Sequence, residues 1–303
     1  MCLLAACDHT TPFTTDVEAA TGPFGSGSPI RVTFDSGADI RPVWLPDGSA
    51  FVYTEERTDR ADRDRCLAFI PAKGGSIVRR ICPGGDLPGD SVDDFESPGF
   101  SAGGQLAYVR TTMLAFIGRA GPDASQLVLG TFGDPLNVSV LTQLPYPLAS
   151  GSVDVASELH WVSPTTLIYL GERQSFPSRC GSCVLRDTLR TGIDVERIDL
   201  GGSGPVRSTV PNTASATSVS SDRLDTLFYT LAGDGRVHRR ALSTGADTIV
   251  ADFGSAVTDL SVSGTRLAVV LGSSLEVMDL LTGSTTTYSK VDTNFHRPAL
   301  SPD

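Results

Sequence analysis

Ile40-Arg41-Pro42-Val43-Trp44-Leu45-Pro46-Asp47-Gly48-Ser49-Ala50-Phe51-Val52-Tyr53 reads as a short strand, a tight turn and an alternating strand. Pro46 presets φ, Asp47 bonds its own backbone and Gly48 accepts the positive φ that such a turn demands. Imperfect copies recur at Phe100-Ser101-Ala102-Gly103-Gly104-Gln105-Leu106-Ala107-Tyr108-Val109 and at Arg297-Pro298-Ala299-Leu300-Ser301-Pro302-Asp303. A unit that returns along the chain points to a repeat fold, in which no copy buries its apolar face alone.

Working outward, each copy is followed by two further strand-like runs, so the unit is a four-stranded blade of strands A to D. The first blade spans about 40–82, and the next four about 96–143, 158–210, 215–252 and 256–289. A sixth opens at 296–303 and is incomplete. The turns Leu242-Ser243-Thr244-Gly245 and Leu281-Thr282-Gly283-Ser284 fall between strands C and D of two successive units. Ile30-Arg31-Val32-Thr33-Phe34 stands before the first unit without partners of its own. A propeller closes its ring to bury its sheet edges, so strand 30–34 is expected to complete the last blade, whose remaining strands are missing or truncated.

The pattern Pro-x-Trp-x-Pro-Asp-Gly-Ser-x-Phe-Val-Tyr at Pro42 to Tyr53, with its copies at Phe100 and Leu300, resembles the repeat of TolB-type, WD40-like six-bladed β-propellers. Similar propellers occur in prolyl oligopeptidase and dipeptidyl peptidase relatives. The resemblance covers Ile30 to Asp303, about nine-tenths of the 303 residues. It implies an all-β fold of antiparallel four-stranded blades, six in number. The middle units depart from it, since Val162-Ser163-Pro164-Thr165 and Val219-Ser220-Ser221-Asp222 lack the turn glycine. A propeller repeat implies no single activity.

Composition agrees with many short strands: 31 Gly, 19 Pro and 3 Met, with few helix-forming runs. The charge is −11, from 24 basic and 35 acidic residues, and no basic run tracks a phosphate backbone, which argues against nucleic acid. Asp86, Asp90, Asp93, Asp94 and Glu96 read as a solvated acidic loop without calcium-loop spacing. No run of 18 apolar residues exists. Leu4-Ala5-Ala6-Cys7 looks like a bacterial lipobox, with Cys7 taking the lipid, and Asp8 to Ser28 has the Thr, Gly, Ser and Pro content of a flexible tether. Residues 1–28 are therefore expected to be a truncated lipoprotein signal and tether; the rival reading is a chance match, since only Met1-Cys2-Leu3 precede the box.

Cys66 and Cys82 lie eight residues to either side of Gly74, so a regular hairpin sets them opposite each other for a disulfide; the alternative is two buried thiols. Cys180-Gly181-Ser182-Cys183 is expected to close a small disulfide loop in the insert of the third unit. The rivals are a redox pair, which lacks a βαβ context, and half of a zinc site, which lacks two further ligands. Gly99-Phe100-Ser101-Ala102-Gly103 matches a nucleophile elbow as a string, but a strand follows where a helix is required. Gly201-Gly202-Ser203-Gly204 lies between strands rather than before a phosphate-binding helix. Asn137-Val138-Ser139 is a formal glycosylation sequon on a strand. Trp44, Tyr108 and Trp161 read as blade core. A lyase or cyclase would draw on His160, His238 and His296, which share no spacing.

These observations converge on a non-enzymatic, monomeric, lipid-anchored propeller of the bacterial envelope, facing the periplasm or the exterior, without cofactor or metal. It binds another envelope protein or a small ligand through its loop faces or channel, with Glu55 to Arg65 and the insert Gly171 to Asp194 as contacts. The alternative is the regulatory propeller of a truncated prolyl-oligopeptidase-like hydrolase, which a serine elbow in a further domain would reveal.

Overall fold

The computed structural model describes residues 39–56, 65–83, 91–114, 122–131, 134–144, 152–175, 189–289 and 295–302. Within them the chain folds into five antiparallel sheets of four strands. Blade one is β1 (Asp39–Trp44), β2 (Ala50–Glu56), β3 (Arg65–Pro71) and β4 (Arg79–Ile81). Blade two is β5 (Ser91–Phe100), β6 (Leu106–Leu114), β7 (Pro122–Thr131) and β8 (Asp134–Leu144). Blade three is β9 (Ser152–Ser163), β10 (Thr166–Ser175), β11 (Leu189–Asp199) and β12 (Val206–Thr209). Blade four is β13 (Ala216–Ser221), β14 (Thr226–Leu231), β15 (Arg236–Ala241) and β16 (Asp247–Asp252). Blade five is β17 (Asp259–Ser263), β18 (Arg266–Leu271), β19 (Ser274–Asp279) and β20 (Thr285–Ser289).

Burial follows position in the blade. The second strands are covered on both faces by neighbouring blades, so they read as continuous apolar runs, as in Leu167-Ile168-Tyr169-Leu170 and Leu267-Ala268-Val269-Val270, all buried. The outermost strand β20 is exposed at every residue. The core is layered between blades. Val52, Leu67 and Phe69 of blade one pack on Phe95, Phe100 and Tyr108 of blade two. Similar layers join blades two to three, three to four and four to five. The last two blades share one hairpin geometry: Gly245 and Gly283, at φ 73° and 70°, each donate their N–H to the carbonyl four residues back, Ala241 and Asp279.

The expected six sheets are not formed: five are present among the described residues. The sixth place in the ring holds residues 295–302, which run without a ladder. Their polar groups are satisfied by the flanking blades instead. Leu300 N–H donates to Ser261 Oγ of blade five at 3.1 Å, and Ala299 C=O accepts from Trp44 Nε1 of blade one at 3.1 Å. The same bond recurs between blades three and two, where Trp161 Nε1 donates to Gly99 C=O. Gly99 and Ala299 stand two residues after Ser97 and Arg297, so the terminal segment holds the register of an inner strand without belonging to a sheet. Strand 30–34, expected to join it, lies outside the described residues.

Every other junction also has a polar link. Ser97 N–H donates to Thr54 Oγ1 between blades one and two, and Val219 N–H donates to Glu158 between three and four. Between four and five, Leu260 and Val262 N–H groups donate to Ser218 and Ser220 hydroxyls. These bonds satisfy backbone donors that the inner strands, at the edge of each sheet, cannot pair within their own ladder.

Candidate functional site

Arg41, Ser97, Glu158 and Asp259 of the inner strands line a narrow mouth of the central channel, and the last residues of those strands with the A–B turns line a wider one. The narrow space, about 50 Å³, is bounded by Arg41, Ser97, Glu158, Asp259 and Arg297 among others. Three of its residues are bulged: Arg41, Ser97 and Glu158 have φ between 50° and 55° and the ladders of β1, β5 and β9 shift register there, and Arg297 shares their conformation at φ 48°. A bulge turns a side chain out of the pleat, here toward the axis.

This mouth neutralises itself. Arg41 and Arg65 each pair with Glu96 at 2.7 Å. Arg297 crosses the channel to Glu158 on blade three, opposite in the ring, and lies 3.9 Å from Asp259. Burial raises the Glu158 carboxyl above its ordinary value, against the opposing pull of Arg297 and the bonds from Val219 N–H and Ser218. Burial, with repulsion from Arg297, lowers Arg41. Glu96 was expected on a solvated acidic loop. Instead Asp93, Asp94 and Glu96 fall on β5, which begins at Ser91; Asp94 accepts the Arg65 N–H and Glu96 binds two guanidiniums.

The wide mouth is a vestibule of about 240 Å³. Trp44, Pro298, Leu300 and Pro302, all half-buried, give it apolar wall. Ser220, Ser261, His160 and Arg223 give it donors. The turn carrying Arg223 is tightly held: Ser221 Oγ accepts the Arg223 N–H, Asp222 Oδ1 accepts from Leu224 and Thr226, and Asp225 N–H reaches across to Val162 C=O of blade three. Arg223 and Asp225 of this turn stand at φ 63° and 72°, in the left-handed region that favours glycine. Burial lowers its pKa, and burial followed by the nearby Arg223 charge brings His160 down to about 4, so the imidazole is neutral at pH 7.

The histidines are not brought together. His160 lines the channel, His296 is exposed beside Asp259, and His238 lies in the third strand of blade four, stacked on Tyr229 at 4.8 Å. Cys66 and Cys82 are joined, Cα atoms 4.5 Å apart, at the pair next to Leu67 and Ile81 in the ladder. Cys7, Cys180 and Cys183 lie outside the described residues. The insert of blade three lengthens β10 and β11, which stay paired from Gly171–Asp194 to Ser175–Leu189; residues 176–188, and 57–64 of the first loop, lie outside the described residues. Ser101 is buried in its turn, its hydroxyl accepting the Gln105 N–H. Trp161 and Tyr108 are buried in blade core, whereas Trp44 is half-buried at the vestibule. Among the described residues no three His, Cys, Asp or Glu are grouped to hold a metal ion.

No known protein family and no curated protein matches the chain. Solved structures match its fold. A chain of a nidogen/laminin complex is 12% identical over 84% of this chain and 81% of that one, with a TM-score of 0.53. U3-55K is 12% identical, covering 89% and 70%, at 0.51. A putative TolB from Agrobacterium tumefaciens is 14% identical, covering 84% and 82%, at 0.51. At these identities the likeness shows the propeller fold, TolB-like propellers among its neighbours, and nothing of chemistry.

Proposed function

We propose that this propeller is a non-catalytic binding scaffold of the bacterial envelope, tethered by a lipid on Cys7, that presents its A–B turns and wide channel mouth to another protein or a small ligand. The observation that carries this reading is the asymmetry of the channel. At the narrow mouth Arg41, Arg65 and Arg297 are paired with Glu96, Glu158 and Asp259, whereas the wide mouth keeps Arg223 without a partner among the described residues in a concave, partly apolar space. A concave surface with a few converging polar groups on a rigid frame is how binding sites are built. Leu224, 80% exposed on the turn beside Arg223, adds apolar surface at the same face.

The test is mild crosslinking of the protein in intact cells, comparing the wild type with Leu224→Arg. The reading expects a discrete partner or ligand adduct that the substitution removes while the protein stays folded and membrane-bound. No adduct, or one indifferent to this face, contradicts it. Mass spectrometry of the membrane fraction checks the tether, with diacylglycerol expected on Cys7.

A further inference from the structure

Arg223 is a half-buried cation with nothing among the described residues to neutralise it. Among the described residues its guanidinium makes no hydrogen bond or ion pair, although it lines a cavity in a chain of net charge −11. Arginines that serve only the fold do not look like this here: Arg297 and Arg41 meet carboxylates, and Arg240 binds Pro211 C=O and Asp247. Partly desolvating a charge without a partner is costly, and the turn that holds it keeps a non-glycine residue at positive φ.

The neighbouring groups are donors as well. Ser220 Oγ has accepted the Val262 N–H and Ser261 Oγ the Leu300 N–H, which leaves each hydroxyl proton to be given to something in the cavity. His160 is turned to the backbone of Val219 and carries no charge at neutral pH. The acid on this wall, Asp222, has one carboxylate oxygen committed to the Leu224 and Thr226 N–H groups. One free cation and two hydroxyl donors match a single negative charge spread over two oxygens, and a guanidinium fork binds a carboxylate through two parallel bonds. A doubly charged phosphate would meet one cation and the Asp222 charge.

We propose that the vestibule binds a monocarboxylate carried on an apolar body, the carboxylate on Arg223 and the hydroxyls of Ser220 and Ser261, the body against Trp44, Pro298 and Leu300. This rests on the binding reading above and names its ligand class. The cavity of about 240 Å³ has room for one small acid or the last residue of a peptide. Both sources offer the same chemistry.

The experiment is isothermal titration of the full chain with phenylacetate, phenylacetamide, N-acetyl-Gly-Phe and its amide. Binding of at least one acid is expected, weakened about tenfold or more in the matching amide and in Arg223→Gln. Arg236→Gln, which removes an equal charge from an exposed hairpin, is expected to bind as the wild type, and melting curves confirm that both variants fold. Phenylacetate alone binding identifies a free acid, and the peptide alone identifies a chain terminus; either supports the proposal. Equal binding of acid and amide overturns it while leaving the ligand-binding reading intact. It is also overturned by an Arg223→Gln that binds as the wild type, or by no binding of either acid up to ~10 mM; a partner captured through Leu224 would in that case still uphold the scaffold.

Discussion

His160 illustrates how one half-buried side chain sets a pH response. Its folded pKa, about 4, lies below the ordinary 6.5, because burial and then the Arg223 charge disfavour the imidazolium. A group lowered on folding contributes stability that is complete above 6.5 and lost as pH falls toward 4. Wild type minus His160→Gln should therefore lose stability between those limits, with a slope of at most about 1.4 kcal/mol per pH unit, measured by urea unfolding at several pH values. A flat difference would place His160 in water. Ser220 offers a second case. Ser220→Ala strips the acceptor from the Val262 N–H at the junction of blades four and five, at a cost of about 1–3 kcal/mol. Neither role was legible in the sequence, where His160 is one of four unrelated histidines and Ser220 one of many serines. The residues of the narrow mouth were closer to view: Arg41, Ser97 and Glu158 hold corresponding places in the inner strands of blades one to three and Arg297 in the terminal segment, three of the four directly before proline and Glu158 before leucine.

Strands and turns were the most readable level, because alternation and turn residues are local. The Pro46-Asp47-Gly48 turn forms with Asp47 accepting from Ser49, and the hairpin around Gly74 brings Cys66 to Cys82. Closing a loop of this size stabilises by about 3 kcal/mol, so Cys66→Ala/Cys82→Ala should lower the unfolding free energy by that amount, and a reductant should do the same to the wild type but not to the variant. Where strands ran further than expected, the cause is tertiary. β5 reaches back to Ser91 because β6 supplies partners for its acidic residues, which composition alone marks as loop. Gly99 shows what the string of a serine elbow conceals. A Cβ there would lie 2.7 Å from the Leu159 carbonyl oxygen, so the glycine exists for the close approach of blades two and three. Gly99→Ala is expected to cost about 1–3 kcal/mol or more, whereas Gly103→Ala, with nothing nearer than 3.8 Å, should melt close to the wild type.

In the whole molecule, the fold class and the four-stranded blade followed from the repeat, but the number of sheets did not. Counting copies cannot tell an inner strand with a sheet behind it from one without. Residues 295–302 carry the copy's Arg-Pro pair and keep its junction bonds, yet pair with no strand. Five sheets and one segment thus enclose a channel with six sides, and the two unlike mouths on which the functional reading depends exist only because the segment closes the ring. Arg297 is the contact that reports closure, since it reaches Glu158 across the axis as well as Asp259 on the neighbouring blade. The most direct measurement is a double-mutant cycle on unfolding free energy with Glu158→Gln, Arg297→Gln and both. Each single change should cost about 3 kcal/mol, because it strands a buried charge, and the double should cost little more than either one. Additive losses, or singles indistinguishable from the wild type, would mean that the segment does not span the channel and that the ring is not closed as described.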